Sequence, residues 1–76
     1  MPAYLNLDGD SGVINYEYGD DWIEIEFEKG TNRFYTYNYA SAGRDHIERM
    51  KILADSGDGL NAYVKKHVAK HYAAKR

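Results

Sequence analysis

His67 and His71 stand four residues apart, a spacing at which two imidazoles on one helical turn can share a transition-metal ion. No Glu follows His67 in the metalloprotease order, and no carboxylate adjoins the pair, so they read as surface histidines and no metal site is assigned. Lys65, Lys66 and Lys70 surround them. Backbone phosphates need only positive charge along one face, which makes these lysines candidates for nucleic-acid binding. The competing reading is a solvated helix end, where lysine suits the helix dipole. The segment Arg33-Phe34-Tyr35-Thr36-Tyr37-Asn38-Tyr39 holds three of the chain's eight tyrosines. In a strand all three share one face. If exposed, Tyr35, Tyr37 and Tyr39 with Trp22 form an aromatic protein-contact patch, the residue types that dominate interface hot spots. Tyr35 and Tyr37 are also the type of side chain that stacks on bases, at roughly 1–3 kcal/mol per base.

Other constellations fall short of chemistry. Asp8-Gly9-Asp10-Ser11-Gly12 has the start of a calcium loop but lacks the later ligands and the bidentate Glu, so it reads as a turn. Ser56, between Asp55 and Gly57, has no base in register. The carboxylates alternate along strands, as on a solvated face, rather than forming an acid–base pair. The absence of cysteine removes disulfides, thiolate metal sites and cysteine catalysis. No catalytic residue and no cofactor are assigned, and the expectation is that the protein is not an enzyme.

The elements that must position these residues follow from hydrophobic period. Val13-Ile14-Asn15-Tyr16-Glu17-Tyr18 reads as a strand, and Gly19-Asp20-Asp21 as a turn. In Trp22-Ile23-Glu24-Ile25-Glu26-Phe27-Glu28, Ile23, Ile25 and Phe27 face one way and Trp22 and the glutamates the other. Lys29-Gly30-Thr31-Asn32 is a second turn, and 33–39 the third strand. The apolar face of this meander is expected to hold Ile14, Tyr16, Ile23, Ile25 and Phe27. The period then changes. Ser41 is one candidate helix N-cap. Ile47, Met50, Leu53 and Ala54 form a helical stripe over 44–55, and Asp55-Ser56-Gly57-Asp58-Gly59 breaks it. Leu60, Val64, Val68 and Tyr72 recur at i+4 in a second helix. Residues 1–11 have no clear period, and 73–76 are expected to fray. The reading is a single α+β domain, 1–76: a three-stranded antiparallel β-meander followed by two α-helices packed on one sheet face, βββαα.

Charge is unevenly spread. Residues 1–30 carry a net charge of −7, residues 31–60 none and residues 61–76 a net of +5. No segment approaches the roughly eighteen apolar residues of a membrane span. Met1-Pro2-Ala3-Tyr4 has no signal-peptide character, so the expected home is a cytoplasm, bacterial or that of a phage-infected cell, with no membrane partner.

The order of motifs resembles the KTSC family, a small domain found alone in bacteria and at the C-terminus of some lysyl-tRNA synthetases. Ile14-Asn15-Tyr16-Glu17, Ile23-x-Ile25-x-Phe27, Gly30 and Tyr35-Thr36-Tyr37 look like its strands, and Ala54-Asp55-Ser56-Gly57-Asp58-Gly59-Leu60-Asn61-Ala62-Tyr63-Val64 like its helix–turn–helix end. The likeness covers about 13–68. Asn15 stands where a glycine is usual, and the Val-Pro that follows the family's Tyr-x-Tyr is absent. The family's function is not established. Its link to synthetases implies an RNA-binding role by analogy.

One turn decides where the tyrosines point. A two-residue turn at Gly30-Thr31 pairs Phe27 with Phe34 and sets Tyr35, Tyr37 and Tyr39 outward, opposite Glu26, Glu24 and Trp22. A three-residue loop, Gly30-Thr31-Asn32, puts the same tyrosines in the core beside Phe27, Ile25 and Ile23. The family spacing and the Phe–Phe pair favour the first; a thin core that needs the rings favours the second. The expected function is a small non-catalytic binding module for a protein partner or a homodimer. The alternative is an RNA-binding domain using Lys65, Lys66 and Lys70 with Tyr35 and Tyr37.

Overall fold

The computed structural model describes residues 3–7 and 12–76. The turn read at 8–12 therefore lies, apart from Gly12, outside the described residues. The fold is α+β, with helices packed on an antiparallel sheet of four strands in the order β1-β2-β3-β4: β1 (Val13–Tyr18), β2 (Trp22–Phe27), β3 (Phe34–Asn38) and β4 (Ala74–Lys75). Between β3 and β4 run α1 (Tyr39–Ala42), α2 (Arg44–Ser56) and α3 (Leu60–Tyr63), the last continuing directly into a π-helical stretch, Val64–Val68.

Alternation set the first three strands where the sequence suggested, but the register between β2 and β3 differs from both readings. Ile23 faces Tyr37 and Ile25 faces Tyr35. The loop is longer than a two- or three-residue turn, for the pairing closes with the Phe27 N–H donating to the Arg33 carbonyl at 2.7 Å. The favoured outward orientation of the tyrosines is thereby overturned. Tyr37 is only 1% exposed and sits in the core with Ile23 and Ile25. The physical reason is economy: the core of so small a domain gains more from an aromatic ring than from Thr36 or Asn38, at about 25 cal/mol per Å² of apolar surface removed from water.

A bulge changes β1 as well. Val13 pairs with Phe27 and Asn15 with Glu26, leaving Ile14 as the extra residue. Val13 takes the core position expected for Ile14, which is 37% exposed, while Tyr16 is buried as expected. Tyr39 leaves the sheet because Asn38 caps a helix. The Ser41 N–H donates to Asn38 Oδ1 at 2.8 Å and the Asn38 N–H donates to Ser41 Oγ at 3.0 Å, a reciprocal capping box in which Ser41 is the third helical residue rather than the cap.

The α2 stripe is as read, with Ile47, Met50 and Ala54 buried. Leu60, Val64 and Val68 are buried too, but the helix ends before Tyr72. The chain turns back, and residues 73–76 pair with β3 instead of fraying. Ala73 N–H donates to the Thr36 carbonyl, Arg76 N–H to the Phe34 carbonyl, and the Arg76 carbonyl accepts from Arg33 and Phe34. Residues 3–7 are likewise fastened. Tyr4 is buried, its N–H donates to the Ile14 carbonyl, and its hydroxyl accepts from the Leu60 N–H at the start of α3 at 3.2 Å.

Gly57 closes α2 in the left-handed region, at φ 77°, and its carbonyl accepts from Leu7 at 2.6 Å. A Cβ there would overlap the Leu5 side chain. Gly57→Ala combines an unfavourable φ with a steric clash, and it is expected to cost about 2–3 kcal/mol in urea denaturation. A cost under about 0.5 kcal/mol would show that the 3–7 strap does not bear on this turn.

Candidate functional site

The sheet separates the candidate residues onto two faces. Tyr35 and Tyr37 lie on the helix-covered face, Trp22 on the opposite one, and Tyr39 begins α1. No joint patch of Trp22, Tyr35, Tyr37 and Tyr39 exists. Tyr35 is held edge-on by Phe27 (centroids 5.6 Å apart) and by Tyr72 (5.4 Å). Burial, then the neighbouring Tyr35 and Tyr72, push the Tyr37 phenol up to about 12. A ring so enclosed presents no face to a base, which excludes stacking on Tyr37, and the half-buried Tyr35 ring is in T-shaped contact with Phe27 and Tyr72.

What does form on this side is a groove of about 670 Å³ between the β2–β3 loop and the π-helical stretch. Its lining includes Lys29, Asn61 and Lys65 together with Phe27, Tyr35 and Tyr37. Of the nucleic-acid candidates it gathers Lys65 with the two tyrosines. Lys66 and Lys70 are exposed but do not line it.

The helix-free face is built by the outward positions of three strands. Glu17 stands directly opposite Glu24, and Asn15 opposite Glu26. Asn15 Nδ2 donates to Glu26 Oε1 at 2.7 Å, and Glu24 Oε2 accepts from the Arg76 guanidinium at 3.1 Å and from Thr36 Oγ1 at 3.5 Å. Arg76 also lies over the Phe34 ring, 4.5 Å from its centre. The Trp22 indole packs over Gly19 so closely that a Cβ there would overlap it. The face thus sets two half-buried aromatic rings, Trp22 and Phe34, among Glu17, Glu24 and Glu26, with the Arg76 guanidinium in contact with Glu24.

A third set of polar residues joins β1 to α2. Tyr16 and Tyr18, two apart on β1, both donate to Asp55 at the end of α2, at 2.8 and 2.7 Å. Beside them Lys51 lies over the Tyr18 ring and bridges to Glu48 at 2.9 Å, which also accepts from Tyr39 at 2.7 Å. Burial and then the Asp55 hydrogen bond push the Tyr16 phenol up to about 12. The same carboxylate raises Tyr18, chiefly by its hydrogen bond, and Glu48 raises Tyr39 in the same way. Lys51, followed by Tyr39, holds the Glu48 carboxyl below its ordinary value. All these shifts favour neutral phenols donating to charged carboxylates, an arrangement that ties α2 to the sheet. The alternation of Tyr16 and Tyr18 was legible in sequence; Asp55 as their common partner was not.

No family model, curated protein or solved structure matches the chain. Among the described residues, no helix is long and apolar enough to cross a membrane.

Proposed function

We propose that the domain is a non-catalytic module that binds a basic protein partner on its helix-free sheet face. The observation that carries this reading is the composition of that face: Trp22 and Phe34 offer aromatic area, and Glu17, Glu24 and Glu26 surround them with negative charge. A homodimer formed face to face would pair this negative patch with an identical negative patch, which argues for a foreign, cationic partner. The hydroxyls and carboxylates that meet in the fold are engaged in packing contacts, which supports a binding rather than a catalytic role. Resemblance to the KTSC family belongs to the same proposal. The three strands followed by a helix–turn–helix support it, while the fourth strand and the missing Val-Pro depart from it.

Trp22 is the sole tryptophan, so its emission reports the face directly. Titration with an arginine-rich peptide is expected to change Trp22 emission saturably and to weaken with salt. The double variant Glu24→Gln/Glu26→Gln should reduce affinity about tenfold, at roughly 1.4 kcal/mol for the two charges. Sedimentation should return a monomer. Unchanged emission at low salt would sink the proposal.

A second reading rests on the exposed Lys65, Lys66 and Lys70, with Lys29 across the groove from Lys65: RNA bound through its phosphates. Filter binding of single-stranded and structured RNA separates the two. RNA affinity that falls in Lys65→Ala/Lys66→Ala/Lys70→Ala, with the arginine-rich peptide inert, would favour this second reading.

A further inference from the structure

The polar side chains of the groove differ from those on the rest of the sheet. Asn15, Tyr16, Tyr18 and Thr36 each find a side-chain partner within the fold. In the groove lining, Lys29, Asn32, Tyr35, Tyr37, Asn61 and Lys65 make no side-chain hydrogen bond or ion pair with any described residue. Unpaired lysines at a surface are ordinary. A hydroxyl without a partner on a residue only 1% exposed is not. Among the described residues no fully enclosed side-chain polar atom lacks a partner, so the Tyr37 hydroxyl stands at the solvent boundary, and the boundary that Tyr37 lines is the groove.

We propose that this groove binds a small phosphomonoester that carries a hydrogen-bonding ring, of the nucleoside monophosphate class. Its volume, about 670 Å³, lies within the roughly 300–1,000 Å³ of small-molecule sites. Lys29 comes from the β2–β3 loop and Lys65 from the π-helical stretch, a rare conformation enriched at functional sites. Together they bring two positive charges to a group that carries about −1.5 to −2 at neutral pH. The backbone N–H groups of Gly30, Thr31 and Asn32, in the same lining, make no hydrogen bond to the described residues and add donors for phosphate oxygens.

The remaining groups suit the ring. Asn32 and Asn61 each offer a carbonyl acceptor and an NH2 donor, the pair of groups that reads the edge of a base. The hydroxyls of Tyr35 and Tyr37 can both donate and accept, and Phe27 and Val64 supply apolar contact. Glu28 is the one carboxylate in the lining among the described residues. It can accept from sugar hydroxyls and it repels a second phosphate, which favours a mononucleotide over a strand of RNA. The groove lies on the helix-covered side of the sheet, so this site stands independently of the helix-free face. It also needs neither Lys66 nor Lys70, which are outside the lining.

Titration of the full chain with each of the four ribonucleoside 5′-monophosphates, followed by backbone amide resonances, tests this. The expected result is saturable binding of at least one of them at one site per chain, with shifts at Lys29–Asn32 and at Asn61–Lys65. Inorganic phosphate alone and the matching nucleoside alone should each bind at least about tenfold more weakly, because each keeps only half of the contacts. Lys29→Ala and Lys65→Ala should each weaken binding about tenfold, and Lys66→Ala/Lys70→Ala should leave it unchanged. Tyr37→Phe keeps the ring and removes the hydroxyl, and should weaken binding about threefold or more. No saturable shift with any of the four overturns the proposal. Shifts confined to Lys66, His67 and Lys70 also overturn it, because they describe a diffuse charge effect outside the groove. Inorganic phosphate that binds as tightly as the best nucleotide overturns the assignment of the ring. These shifts are read on the unaltered chain, so a variant that failed to fold would not rescue the proposal.

Discussion

Tyr37→Ala is expected to destabilise the domain more than any other aromatic truncation in the sheet. The side chain is 1% exposed and lies on the core face of β3, opposite Ile23. Truncating a buried aromatic to alanine costs about 3–5 kcal/mol, since the lost transfer energy adds to that of the cavity left behind. A 76-residue domain has total stability of roughly 4–11 kcal/mol, so this one change removes a large part of it. For a chain of this size each kcal/mol moves the melting temperature by about 4–8 °C, which puts the fall at some 12 °C or more. Tyr35→Ala should cost less, about 1–2 kcal/mol. Tyr35 is half-buried and loses its edge contacts to Phe27 and Tyr72 without opening a sealed cavity. Trp22→Ala, on the other face, should cost least in stability and most in the Trp22-dependent binding proposed above. Circular dichroism melts of the three variants measure the order. If Tyr37→Ala cost no more than Trp22→Ala, the tyrosines would not face the core.

The gap between sequence and structure has identifiable causes. β1 to β3 and α2 were legible because their apolar periods, two and near 3.6, run long enough to be distinctive. Register was not, because period two fixes the faces within a strand but leaves the partner strand free to slide, and Glu28-Lys29-Gly30-Thr31-Asn32 supports several loop lengths. The Val13–Asn15 bulge is invisible for a related reason: both Val13 and Ile14 are good core residues, and only the register with β2 chooses between them. β4 is two residues long, too short for any period, and exists because β3 offers an edge to the returning chain. Of the site, the glutamate row on β2 and the lysines could be read directly. The groove and the Asp55 clamp could not, because each joins residues far apart in sequence.

Raising the pH from 10 to 12 is expected to unfold the domain progressively, and the buried phenols supply the cause. Tyrosine in the unfolded chain ionises near 10, whereas Tyr37 and Tyr16 are held up to about 12 in the fold. A group whose folded pKa is raised contributes stability that is complete below the unfolded value. Through the window between the two values the unfolded chain releases protons that the folded chain keeps, so stability falls as pH rises. For Tyr37, the more deeply enclosed of the two, the loss by pH 12 is at most about 3 kcal/mol, at 1.36 kcal/mol for each pH unit of difference. The contribution of Tyr16 is smaller because its hydroxyl, shared with Asp55, lies nearer to water. Below about pH 9 these phenols leave stability flat. Urea midpoints measured against pH, alongside phenolate absorbance, check the sign and the window. Tyr37→Phe removes the ionisable hydroxyl while keeping the ring, and should flatten the alkaline limb. Asp55→Asn removes the charge that helps raise Tyr16 and Tyr18, and should draw their ionisation back toward the ordinary value. A urea midpoint that stays constant from pH 9 to pH 12 while every tyrosine ionises near 10 would mean that Tyr37 is open to water.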